Sequence, residues 1–320
     1  MLKIKGLKKT FYPGTVHEKK AIKGVELTFA DGDFVTVIGG NGAGKSTVLN
    51  LIAGVFPADC GSIELDGVEL TTMPEYRRAS MLGRVFQDPM RGTAADMTIE
   101  ENLALACRRG KHRGLRRGVT RAERQLFMER LAALDLGLED RLTTKVGLLS
   151  GGQRQALTLL MATMQRPHLL LLDEHTAALD PRTAERVLAL SRQIVEEEGL
   201  TAMMVTHNMR DAIATGNRLI MMHEGRVVLD ISGEEKKRLT VEGLLARFAR
   251  VSGETFDDDK ALLATVHGVW ASMFHIFNGP DCYEERRDAL AATLREDRDA
   301  FRHGLDVVTD GLSLLIDEMK

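Results

Sequence analysis

Residues 39–46, Gly39-Gly40-Asn41-Gly42-Ala43-Gly44-Lys45-Ser46, combine the features that polyphosphate chemistry needs. Closely spaced glycines let the backbone curl until successive N–H groups converge on one anion. Lys45 adds a point charge for the β- and γ-phosphates, and the Ser46 hydroxyl is a hard oxygen suited to Mg2+. The spacing is G-x-x-x-x-G-K-[ST], a phosphate loop wherever a strand runs into it and a helix leaves it. A second cluster stands 128 residues beyond Lys45, where Leu169-Leu170-Leu171-Leu172 ends in Asp173-Glu174. Such a strand offers one carboxylate, Asp173, to hold a metal through water and another, Glu174, to polarise an attacking water. Either cluster alone has an ordinary explanation, a glycine turn or a buried strand with a solvated acidic end. Together they point to nucleoside triphosphate hydrolysis.

Strands and helices must hold both clusters. Phe34-Val35-Thr36-Val37-Ile38 is a continuous run of the kind covered on both faces of a sheet, and it enters the loop directly. From 46 to 53, apolar residues at 48, 49 and 52 suit a helix. Upstream, Leu2-Lys3-Ile4-Lys5 and Val25-Glu26-Leu27-Thr28-Phe29 alternate as half-buried strands do, with a turn at Ala30-Asp31-Gly32-Asp33. Residues 54–67 read as loop, strand and hairpin turn. Helical spacing dominates from about 97 to 165, through Leu103, Leu105, Leu126, Phe127, Leu131 and Leu134, and Ser150 begins another helix. Residues 182–198 read as helix, 203–206 as strand and 219–231 as a hairpin turning at Glu224-Gly225. This alternation predicts a mostly parallel α/β sheet with an antiparallel N-terminal β region. The block at about 97–165 is then a helical subdomain inserted into it.

The chain has 320 residues, 44% hydrophobic and 28% charged, enough for about two domains and a sizeable core. Its net charge of −3 gives no global argument for nucleic acid or an acidic membrane surface. Cys60, Cys107 and Cys282 stand far apart without a CxxC pair, which excludes a disulfide scaffold and argues against a cysteine-based zinc site. No apolar run approaches the roughly 20 residues of a membrane span, and the first residues lack an apolar leader. The expectation is a soluble protein of a reducing compartment.

Further motifs fall in order around the two clusters. Gln87 lies in Val85-Phe86-Gln87-Asp88-Pro89, and Leu149-Ser150-Gly151-Gly152-Gln153 places Ser150 105 residues after Lys45. Ala178-Leu179-Asp180 follows, then His207 in Val205-Thr206-His207-Asn208. Across residues 1 to about 250 these six ordered motifs resemble those of the ATP-binding subunits of bacterial ABC transporters, and their style is importer-like. The resemblance implies a P-loop ABC ATPase fold that binds ATP and Mg2+. It implies a nucleotide held by Gly39, Gly40, Asn41, Gly42, Ala43, Gly44, Lys45, Ser46 and Thr47, with Phe11 stacked on adenine. Ser150, Gly151, Gly152, Gln153 and Asp180 complete the nucleotide contacts, the Ser150 motif meeting the γ-phosphate held by a second subunit. Metal contacts fall to Ser46, Gln87 and Asp173, and catalysis to Glu174, His207 and Gln87. Implied partners are a second ATPase subunit, a homodimer being expected, and transmembrane permease subunits. A substrate-binding protein joins them if the system is an importer of small solutes such as amino acids; nucleic acid is not a partner. Such a subunit sits at the cytoplasmic face of the cell membrane.

Alternatives stay open at several points. Phe11 also suits a core aromatic at the end of the first strand. Asp180 before Pro181 is also a good helix N-cap. The basic run 108–117 suits a solvated loop, or contact with acidic lipid or a membrane subunit. A soluble non-transport ABC ATPase of the cluster-assembly type is the alternative function. Residues 252–320 carry 15 acidic and 7 basic side chains, and their helical spacing predicts a C-terminal helical extension after the ATPase domain of about 1–250. That extension suits either a hairpin packed on its own subunit or a dimer contact.

Overall fold

The phosphate loop is held between two sheets. The computed structural model describes residues 1–111 and 118–252. The helices expected beyond 252, and residues 112–117 of the basic run, lie outside the described residues. In chain order the strands are β1 (Leu2–Phe11), β2 (Lys19–Phe29), β3 (Phe34–Ile38), β4 (Cys60–Leu65), β5 (Val68–Glu69), β6 (Leu82–Val85), β7 (Leu169–Asp173), β8 (Ala202–Val205), β9 (Arg218–His223) and β10 (Arg226–Ser232). The α-helices are α1 (Lys45–Ala53), α2 (Glu75–Arg78), α3 (Ile99–Cys107), α4 (Arg121–Ala132), α5 (Gly151–Thr163), α6 (Pro181–Glu197), α7 (Met209–Ala214), α8 (Gly233–Lys237) and α9 (Val241–Ser252).

An antiparallel sheet runs β2-β1-β4-β5, and a six-stranded sheet runs β10-β9-β3-β8-β7-β6. In the second, β6, β7, β8, β3 and β9 pair in parallel and β10 closes one edge antiparallel. The run Leu169–Leu172 is continuous because both faces of β7 are covered. Leu169 and Leu171 join the core shared with α1 and the antiparallel sheet, while Leu170 and Leu172 face a core containing Leu188 and Val195 of α6. Met203, Met204, Met221 and Met222 are likewise buried side chains of β8 and β9. At roughly 1.5–3 kcal/mol for each large apolar side chain buried, these layers dominate what fixes β3 and β7 relative to α1.

Between β6 and β7 the helices gather a core of their own, built on Leu103, Phe127, Leu131, Leu149 and Leu157. Their ends carry local sequence logic. Thr98 with Glu101, Thr120 with Glu123 and Ser150 with Gln153 each form a capping box, at the starts of α3, α4 and α5. Helix α1 is different. Its N-cap is Gly44 in the left-handed region, with no side-chain cap. Its C-terminal end is closed by the buried Arg78, whose Nη1 donates to the carbonyls of Leu51 at 2.7 Å and Ile52 at 2.8 Å.

Two readings shift. The strand expected at 203–206 spans Ala202–Val205, although Thr206 N–H still bonds the Val37 carbonyl at 3.1 Å. Strand β6 was not legible, because Leu82-Gly83-Arg84-Val85 is four residues long and contains a glycine and an arginine. It becomes a strand by pairing along β7.

Candidate active site

Strand β3 ends at Ile38 and the chain turns into the loop at Gly39, whose φ is 150°. Gly39 has no room for a side chain, since a Cβ there would overlap the Met222 carbonyl oxygen. Lys45 reaches back to donate to the carbonyls of Gly39 at 2.7 Å and Gly40 at 3.1 Å, so the cation pins the loop that presents it. Burial pushes the Lys45 pKa down, and the negative charges of Glu174 and Asp173 oppose that shift. A brace missed in the sequence comes from the β9–β10 turn, where Gly225 N–H donates to the Ala43 carbonyl at 3.0 Å. With no side chain capping α1, the first N–H groups of that helix are available to an anion, backed by about half a positive charge.

A cleft of about 250 Å3 is lined by Phe11, Lys19, Ala21, Asn41, Gly42, Ala43, Gly44, Lys45, Ser46, Thr47 and Glu174. The structure thus joins the β1 aromatic, the phosphate loop and the second carboxylate in one concave site. Phe11 is half-buried and packs edge-to-face on Phe56, with ring centroids 5.2 Å apart. It therefore combines packing with a position at the cleft. Tyr12 beside it is exposed.

Asp173 ends β7 beside Arg84 of β6, with a guanidinium–carboxylate distance of 3.3 Å. The same Arg84 nitrogen donates to Asn50 Oδ1 on α1 at 2.7 Å, and the guanidinium lies over the Phe86 ring, 4.5 Å from its centroid. Burial raises the Asp173 pKa, Arg84 opposes the rise, and the charge of Glu174 adds to it. Arg84 went unnoticed in the sequence. Its signal was an arginine inside an apolar strand, which needs an acidic partner.

Glu174 leaves β7 with a φ of 43°, a left-handed conformation that costs a non-glycine residue about 1–2 kcal/mol. Its N–H is held by the Val205 carbonyl at 3.0 Å. The carboxylate meets His207 Nδ1 at 3.5 Å. That contact holds the Glu174 pKa below the usual carboxylate range and raises that of His207. The next residue, His175, is buried, and its Nε2 donates to Ser191 Oγ at 2.9 Å, since that hydroxyl itself donates to the Val187 carbonyl at 2.8 Å. Burial lowers the His175 pKa to about 4, so the ring is neutral and ties the segment after Glu174 to α6. Nothing in the local sequence marks His175 as a buried residue.

Other expected site residues are not gathered here. Gln87 is exposed beyond β6 and does not line the cleft. Its neighbour Phe86 is tied to α5, where the buried Gln155 donates Nε2–H to the Phe86 carbonyl at 3.0 Å. Ser150, Gly152 and Gln153 line a separate groove with Thr183 and Arg186 of α6. Asp180 caps α6 by accepting from Thr183 N–H at 3.1 Å. In one chain, therefore, the Ser150 motif and the Lys45 loop belong to different surfaces.

Comparison with known proteins identifies the arrangement. Residues 22–177 match the family model described as ABC transporter. The chain is 46% identical over 249 residues to a tyrosine transport ATP-binding protein of Clostridioides difficile, covering 78% of this chain and 98% of that one. This chain belongs to the ABC transporter ATP-binding subunits. A lipoprotein-releasing system ATP-binding protein of Caulobacter vibrioides is 34% identical, over 72% of this chain and 96% of its own. Among solved structures, the dimeric ATP-binding cassette MJ0796 bound to ADP and Pi aligns with a TM-score of 0.62 and 31% identity, covering 72% of this chain and 98% of that one. The ABC subunit thus has the P-loop ABC ATPase fold that its motifs implied, and no helix among the described residues is long and apolar enough to cross a membrane.

Proposed function

We propose that the chain hydrolyses ATP between two subunits and drives solute import through separate transmembrane subunits, with an amino acid such as tyrosine as the solute. The observation that carries the hydrolytic reading is the Glu174–His207 contact at 3.5 Å, in a structure where Glu174 also lines the Lys45 cleft. An ionised Glu174 is ready to accept hydrogen bonds from water, and His207 fixes its direction. Backbone N–H groups at the start of α1 and the Lys45 ammonium are placed to neutralise charge that grows on the phosphate oxygens.

Ser46 and Asp173 offer hard oxygen ligands, which fit Mg2+ better than a softer metal. These residues would hold it, and when bound it supplies charge neutralisation on the phosphates. Arg84 opposes the burial that favours the neutral form of Asp173 and directs its carboxylate. On this reading Ser150 with Gly151, Gly152 and Gln153 completes the site of a partner copy, which accounts for their separation from Lys45 within one chain. Phe11 takes the adenine.

The substrate assignment draws on the tyrosine transport relative, and the permease, a binding protein and a place at the cytoplasmic membrane face follow with it. Two measurements test the proposal. A mixed dimer of one Ser150→Arg and one Lys45→Ala subunit should keep one intact composite site. Both changes on one chain beside a wild-type chain should leave none, and equal ATPase rates from the two mixtures reject the head-to-tail pairing. Uptake by proteoliposomes containing the permease should be ATP-dependent for an aromatic amino acid. Stimulation by a different solute class, with no amino-acid uptake, rejects the substrate.

A further inference from the structure

The lysines of the N-terminal sheet fall into distinct settings. Lys9, Lys20 and Lys23 each meet a carboxylate, Asp59 at 2.8 Å, Glu18 at 4.0 Å and Glu224 at 3.2 Å. Lys19 has no ion-pair partner among the described residues, and it lines the nucleotide cleft. The antiparallel register of β1 and β2 sets Lys19 directly opposite Phe11. Its Nζ reaches the tip of the phosphate loop, 3.5 Å from where a Cβ on Gly42 would stand. Lys19 therefore bridges the space between the aromatic end of the cleft and the loop that ends in Lys45.

Charge within the cleft points the same way. Lys45 already faces the negative charges of Glu174 and Asp173. Its own ammonium is engaged with the Gly39 and Gly40 carbonyls. A nucleoside triphosphate carries more negative charge than one partly compensated lysine balances. Among the described residues, Lys19 is the cation of the cleft that no carboxylate offsets.

We propose that Lys19 is a second phosphate-binding cation, contacting the polyphosphate chain of the bound nucleotide between Phe11 and the loop tip. The proposal rests on the nucleotide-site reading above. As a flexible ammonium it acts as a point charge on phosphate oxygens and carries no base preference.

Titration of the full-length chain with fluorescent ATP, ADP and GTP analogues, at low and high salt, tests this. Lys19→Met should weaken all three by about tenfold, a loss typical of a charge-assisted hydrogen bond, and should flatten the salt dependence. Lys20→Met, the neighbour paired with Glu18, should bind within about twofold of wild type. Equal losses in Lys19→Met and Lys20→Met, no loss in Lys19→Met, or a loss confined to one base each overturn the proposal. Lys45→Ala separates the underlying reading: if that variant binds ATP like wild type, the cleft is not the nucleotide site, whatever Lys19 does. Lys19 is exposed on the end of β2, so loss of fold is not expected, and unchanged thermal melts check it.

Discussion

Replacing Arg84 by methionine should cost this protein far more stability than an ordinary surface substitution, and the cost should be traceable to Asp173. The two side chains are each only 15% exposed and lie 3.3 Å apart. Removing one member of a fully buried pair typically costs about 3–5 kcal/mol, because the other charge is left uncompensated. Methionine keeps most of the apolar stem but also gives up the 2.7 Å bond to Asn50. A loss of about 2–4 kcal/mol is expected, or roughly 5–12 °C in melting temperature for a domain of this size. Asp173→Asn alone strands the arginine and should also destabilise. The double variant should recover about 1–2 kcal/mol relative to the sum of the singles. The Arg84→Met deficit should shrink as pH falls, since protonating Asp173 removes the anion that Arg84 no longer balances. Thermal and urea melts of the four proteins, without nucleotide, measure this. Additivity within about 0.5 kcal/mol, or a deficit independent of pH, refutes the electrostatic account.

Glu174→Gln should retain ATP binding while losing hydrolysis by about a hundredfold or more. It should also return the raised His207 pKa toward its ordinary value, and an NMR titration in which His207 does not move would separate the two residues. Gly39→Ala should disrupt the loop, because its Cβ meets the backbone oxygen of Met222 rather than a flexible side chain. ATP affinity should fall with the fold's secondary structure intact, and unaltered affinity argues against the observed loop path. Lys236 is buried against the carbonyls of Thr215 and Gly216, and burial pushes its pKa down to about 8 from 10.5. Between those values the unfolded chain binds the proton that the folded state has released, so wild-type stability should rise relative to Lys236→Met as pH increases through that window. A pH-independent difference in urea midpoints contradicts this.

Much of the fold was legible because its signals are local. The loop spacing, the five-residue run 34–38 and the four leucines before Asp173 each declare an element within a few positions. Ser150 with Gln153 is legible in the same way, as a capping box three residues apart. The motif order carried the family, because each motif keeps its chemistry in its own short segment. The Glu224-Gly225 turn was also readable, though not its purpose, which is to brace Ala43 from more than 180 residues away.

Tertiary structure alone decided which side chains work together. Strand β6 has no periodic signal of its own, and only its place beside β7 brings Arg84 to Asp173. His207 reaches Glu174 because β8 lies beside β7, and Lys19 stands across from Phe11 because β2 folds back along β1. Arg78 closes the end of α1 by the same kind of long-range return. Amino-acid pattern reports the environment of each residue, apolar, capped or turning. Pairing between distant segments depends on sheet order and on burial shared by whole layers, and that burial is settled only when all the layers are in place.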